Sequence, residues 1–174
     1  REEKVEAVET LNNGRIERAR FVVDGRGTPP DATGSLRLSY GAATGYPQLT
    51  TQVQWATTFH GLYDRALGFG GRPPFDLPER FVARRGDIRM DTPLNFACTA
   101  DIIGGNSGSA VLNRAGEYVG LVFDGNVQAF AWDYFYTDEQ ARCVSVHSAA
   151  LIEALRRVYD MGALADEIEG AAAR

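Results

Sequence analysis

Histidine is scarce in this sequence: His60 and His147 are the only two in 174 residues. Imidazole chemistry, whether base catalysis or metal ligation, is confined to those two positions. Cysteine is as rare, with Cys98 and Cys143 alone. Their spacing matches no zinc pattern, so no metal and no other cofactor is expected. The pair can form one disulfide, which fits an exported protein, or stay as two buried free thiols, the plainer expectation. No apolar run approaches the ~20 residues of a membrane span. A surplus of positive charge is missing too. The formal net charge is -5 and the pI about 5.1, which argues against nucleic acid as a partner, because phosphate binding needs a basic face. No signal peptide is visible, and the first residue is Arg1 rather than Met. The expectation is a processed chain or a piece of a longer one.

What is present is ordinary for a globular domain with a real core: 44% hydrophobic and 24% charged residues. Glycine, at 19 residues, favours a turn-rich fold over a helix bundle. Residues 1–33 read as the end of a helical segment plus a loop. Val5, Val8, Leu11 and Ile16 keep mostly helical spacing, with a break at Asn12-Asn13-Gly14, and Gly25 to Gly34 is rich in breakers. Residues 34–174 read as a mainly β domain with flanking helices. Ser35 to Tyr40 alternates polar and apolar, as a strand with one buried face does. Gln52 to Leu67 reads as a strand running into a short helix, and Pro78 to Arg84 as another short helix. Further strands are expected at Leu94 to Thr99, Ser109 to Leu112, Tyr118 to Phe123 and Arg142 to Val146. Ser148 has the chemistry of an N-cap for a helix to about Tyr159, and Ala163 to Ile168 forms the last helix.

The stretch with chemistry runs from Asp101 to Gly125, centred on Gly104-Gly105-Asn106-Ser107-Gly108-Ser109. A nucleophilic serine needs a tight turn that exposes its Oγ. It also needs backbone N–H groups aimed at the developing oxyanion, and neighbours that tolerate unusual φ/ψ. Glycines at 104, 105 and 108 meet those demands around Ser107, with the amides of Gly105 and Ser107 as the oxyanion hole. A glycine- and serine-rich turn between strands is common, and G-N-S-G alone is a weak signal. The full string is more specific, because a strand, a tight turn and a strand ending at Asp124-Gly125 follow it. A carboxylate at that strand end can bind a cation beside a cleft or simply be a solvated Asp-Gly turn. Gly125 leaves room for a side chain.

At these residues the sequence resembles the bacterial serine dipeptidyl-peptidases of the type 7 and type 11 group, serine peptidase family 46. The likeness rests on Leu36 to Gly41, on Asp101 to Asn113 with its G-G-N-S-G-S, on Gly120 to Asn126 (G-L-V-F-D-G-N), and on Val144-Ser145-Val146 with the helix after it. The resemblance implies the second β-barrel of a chymotrypsin-like double barrel and release of dipeptides from free N-termini. It implies Ser107 as nucleophile, Asp124 as ligand of the substrate's α-ammonium and Gly125 as the residue that sets specificity. Glycine there implies an apolar or bulky side chain before the cut; relatives preferring acidic side chains carry arginine. It also implies a periplasmic, secreted or surface location in a bacterium. Three positions depart from the family pattern: Ala110 stands for a proline, His147 for an acidic residue, and Trp132-Asp133 lies near a Gly-Asp.

The nucleophile lacks a base. In the chymotrypsin-like order histidine and aspartate precede the serine. His60 has no features of a catalytic loop, and His147 follows the serine. The missing N-terminal half is therefore the expected partner, along with peptide substrates. Three readings stand: part of an active peptidase, a peptide N-terminus-binding module without turnover, or another serine hydrolase with an unforeseen base. An isolated half would expose apolar surface and self-associate, often as a homodimer.

Overall fold

The computed structural model describes residues 2–25 and 36–170. Most of the loop expected over Gly25 to Gly34 lies outside them. Helix α1 (Glu2–Asp24) runs without a break through Asn12-Asn13-Gly14. One mid-helix glycine costs only ~1 kcal/mol relative to alanine, too little to interrupt 23 residues of helix. Gly25, at φ +62°, takes the left-handed conformation that ends it. Val5, Val8, Leu11 and Ile16 all remain more than half exposed. No helix among the described residues is long and apolar enough to cross a membrane.

A hairpin, β1 (Tyr46–Gln48) and β2 (Thr51–Val53), precedes the main sheet. That sheet uses β3 (Ala56–Thr58), β4 (Pro93–Cys98), β5 (Ala110–Leu112), β6 (Tyr118–Gly125) and β7 (Cys143–His147). Its order is β3-β4-β7-β6-β5, antiparallel throughout. Helices α2 (Phe59–Gly68) and α3 (Glu79–Ala83) lie between β3 and β4, while α4 (Ser148–Arg157) and α5 (Gly162–Ile168) follow β7. The strands feed two cores. One gathers Phe59, Tyr63, Ile88, Ala150 and Val158 beneath the helices, joined by Val146. The other gathers Cys98, Val122, Trp132, Ala141 and Cys143.

Among the described residues the sheet is open, with β3 and β5 as edges. Two expectations need correction. The strand expected at Ser35 to Tyr40 is absent from 36–40, where Leu36, Leu38 and Tyr40 are 99%, 89% and 88% exposed. An alternating pattern makes a strand only where a neighbour covers its apolar face, and nothing described here does. The chain docks one step later, where Ala43 bridges to Cys98. The cap of α4 is His147, not Ser148: its Nδ1 accepts the Ala149 N–H at 3.1 Å.

Arg142, buried just before β7, organises this end of the molecule. Its guanidinium donates to the carbonyls of Thr44 (3.1 Å), Gly45 (2.6 Å), Asp138 (2.7 Å) and Ala141 (2.7 Å) and lies over the Tyr46 ring. Its backbone exchanges hydrogen bonds with Asn126, whose side chain also donates to the Gln140 carbonyl. Replacing Arg142 with methionine orphans those carbonyls, and a few at ~1–3 kcal/mol each predict a loss of about 3 kcal/mol in urea unfolding. Lysine should not restore it, because one ammonium cannot span four carbonyls in that fork.

Candidate active site

The loop between β4 and β5 is wound around Asn106. Its side-chain oxygen accepts the Ile103 N–H (2.9 Å), its own N–H reaches the Ile103 carbonyl (3.1 Å), and its carbonyl accepts from Ser109 (2.9 Å). Gly105 at φ +100° and Gly108 at φ +89° make the turns on either side, in a region that a Cβ disfavours. Two ladder-like bonds then fasten the loop to β6: Gly108 N–H to the Val122 carbonyl (2.8 Å) and Val122 N–H to the Ser109 carbonyl (3.0 Å). Ser107 is held exposed at the crest, its Oγ donating to the Phe123 carbonyl at 3.3 Å. Among the described residues, the amides of Gly105 and Ser107 find no acceptor within the chain. They are spare donors beside the hydroxyl.

A bulge in β6 supplies the facing wall. Val122 pairs with Ser145 and Asp124 with Val144, so Phe123 is an extra residue, and both Phe123 and Asp124 turn outward. One Asp124 oxygen accepts the Gly125 N–H at 2.8 Å, which orients the carboxylate. A 3-10 helix (Val127–Asp133), capped by Asn126, makes the third side. Between these elements lies a cleft of about 380 Å³, and Ser107, Asp124 and Gly125 all line it. Ile102, Ala129 and Phe130 add apolar wall, and Asp133 adds a second carboxylate. Its two ionisable lining residues are thus both acids.

Neither histidine belongs to this cleft. His60 lines a separate cavity on α2 with Tyr63, Asp64 and Arg85. His147 pairs with Gly120, whereas Cys143 at the other end of β7 pairs with Gly125. Four strand residues at ~3.3 Å each put His147 ~13 Å along β7 from the Gly125 position. Its ring packs edge-on against Phe96, 5.7 Å away, while it caps α4. Of the other departures, Asp133 lines the cleft, and Ala110 and Trp132 are structural. Ala110 opens β5 opposite Leu121. Trp132 is buried, donates to the Thr137 carbonyl (2.8 Å) and stacks on Tyr136.

Beneath the cleft Cys98 and Cys143 are directly opposed on β4 and β7, both buried and both free thiols. A hydrogen bond from Cys143 pulls the Cys98 thiol down, while that bond and burial push Cys143 up. At the loop's start, burial raises the Asp101 carboxyl and the Arg37 charge opposes this. Sequence reading did not single out Asn106 as the organiser of the loop, nor Ala129 and Phe130 as cleft wall. Asparagine's habit of bonding nearby backbone was the available signal for the first. Nothing local marks the other two.

A model of the peptidase S46 family matches residues 1–170. The chain belongs to the peptidase S46 family. Among S46 relatives, a dipeptidyl-peptidase 7 of Capnocytophaga gingivalis is 34% identical over 129 residues, covering 67% of this chain and 18% of the relative. An Asp/Glu-specific dipeptidyl-peptidase of Shewanella putrefaciens is 28% identical over 170 residues, covering 80% and 23%. A crystal structure of Porphyromonas endodontalis DPP11 in complex with the dipeptide Arg-Asp superposes with a TM-score of 0.72 at 25% identity, over 85% of this chain and 22% of that one. The chain therefore spans about a fifth of the length of the relatives it matches.

Burial also pushes the His147 imidazole below its usual value. The unfolded state then takes up the proton first as pH falls. The stability His147 contributes is complete above ~6.5, and it is lost as pH drops through the lower folded value. His147→Asn, which keeps a capping acceptor, should flatten the fall of unfolding free energy below pH 6.5. Equal pH slopes in the two proteins would refute this role.

Proposed function

We propose that this chain is the nucleophile-bearing segment of a serine dipeptidyl-peptidase. The observation that supports it best is one cleft lined by both Ser107 and Asp124. Asp124 binds the α-ammonium of a peptide's free N-terminus. Anchoring the terminus fixes how many residues lie between it and the serine, which is how such a site measures a dipeptide. Ser107 Oγ attacks the second carbonyl, and the amides of Gly105 and Ser107 receive the oxyanion. The amine leaves, and water hydrolyses the acyl-enzyme to free the dipeptide. The proton of Ser107 passes to a histidine, held by an acid, on polypeptide beyond this segment, since neither histidine here lines the cleft.

The preferred side chain before the cut is apolar or bulky. Supporting this, Ile102, Ala129 and Phe130 give the cleft a stretch of apolar wall and its two charged residues are both negative, so an acidic side chain would meet Asp124 and Asp133 without a cation. The remainder of the polypeptide covers Leu36, Leu38 and Tyr40 and the open sheet edges, completing the second of two chymotrypsin-like barrels. The protein is exported to the periplasm or cell surface of a bacterium, a reading supported by the family resemblance alone.

Labelling with a fluorophosphonate tests the assignment. The full-length protein should be labelled and its Ser107→Ala variant not. This segment alone should stay unlabelled and self-associate in sedimentation. Serine-dependent labelling of the segment alone would sink the shared-triad reading. Asp124→Asn in the full-length protein should cost roughly 100-fold in kcat/KM on dipeptidyl substrates, the scale of losing one partner of a charge pair that the bound substrate covers, while sparing fluorophosphonate labelling.

A further inference from the structure

We infer that Ala129 is a specificity-determining residue, and that it and Gly125 act as one gate on the size of side chain the cleft admits. This deepens the peptidase reading above and rests on it. A Cβ placed on Gly125 would lie 2.9 Å from the Ala129 Cβ. Its other near neighbours, the Arg142 carbonyl at 3.5 Å and Ile102 Cδ1 at 3.7 Å, are at ordinary contact distance. Of these neighbours only Ala129 crowds a side chain at position 125, which could be added only if something shifts. Ala129 and Gly125 both line the cleft, so a longer side chain at 129 would draw on the same space.

The wall carrying Ala129 is held in place. Its N–H reaches the Asn126 carbonyl (2.9 Å) and the Asn126 side-chain oxygen (3.1 Å). Asn126 is bonded in turn to Arg142 and to the Gln140 carbonyl. Ala129 is itself packed against the core that contains Trp132 and Cys143. A bulkier residue at 125 is accommodated by trimming 129 rather than by letting the 3-10 helix retreat. Pocket size in this protein is a property of the pair. Exchange of a single residue at 125 is then insufficient to rebuild it.

The test measures kcat/KM in the full-length protein on two dipeptidyl substrates, one with phenylalanine and one with alanine before the cut. Their ratio does not depend on how much of a variant folds. Ala129→Leu should lower the phenylalanine-to-alanine ratio at least about tenfold, the scale on which apolar pockets discriminate by size. Gly125→Ala should lower it as well, and adding Ala129→Gly to that variant should return it to within about threefold of the unaltered protein. A ratio unmoved by Ala129→Leu would overturn the gate. So would a double variant no better than Gly125→Ala. Absence of Ser107-dependent turnover of both substrates by the unaltered protein would overturn the peptidase reading, and the gate with it.

Discussion

A buried guanidinium that has no carboxylate partner among the described residues is the constraint on which this structure turns. Arg142 spends its donors on four backbone carbonyls, from Thr44 and Gly45 on one side and Asp138 and Ala141 on the other. Desolvating that charge is costly, and only a full set of acceptors offsets it. The acceptors come from segments almost a hundred residues apart, so the arginine forces the β1–β2 hairpin and the approach to β7 to coincide. Through its backbone it also grips Asn126, and Asn126 sets the end of β6 and the start of the 3-10 helix. Asp124, Gly125 and Ala129 inherit their positions from this clamp.

On the other wall the organising element is smaller. Asn106 closes the Ser107 loop on itself, and two bonds to Val122 dock the loop on β6. The bulge at Phe123 then does two things at once. It presents a carbonyl to the Ser107 hydroxyl and swings Asp124 into the cleft. The serine and the carboxylate are thus set against each other by one strand, whose irregularity is the reason they share a cavity. The histidines fall outside that arrangement. One is a helix cap and the other lies on α2.

Most elements were legible in advance because their patterns are local. The strand at Tyr118–Gly125 is a strongly apolar run, and the turn at Asn113-Arg114-Ala115-Gly116 has the residues turns need. The glycines at 105 and 108 fall where φ is positive, which the tight turns on either side of Ser107 require. The misreadings have local causes too. Asn12-Asn13-Gly14 carries weak breakers, and helix cooperativity overrode them. Ser148 is a good cap by type, but the histidine before it already had the extended backbone and an acceptor nitrogen. The alternation at Leu36-Arg37-Leu38 has strand character and no neighbour to realise it.

The division of labour follows from range. The sequence by itself determined the glycine-rich run around Ser107, most of the strands and helices from residue 56 onward, and the family, since each depends on short runs and their spacing. Only the tertiary structure decided that the sheet is open, that Asp133 joins Asp124 at the cleft, and that Ala129 stands against Gly125. Those facts depend on hydrogen bonds spanning 14 to 98 positions, between Asn126 and Gln140 and between Arg142 and Thr44, and nothing in a local pattern encodes which carbonyl a buried arginine will find.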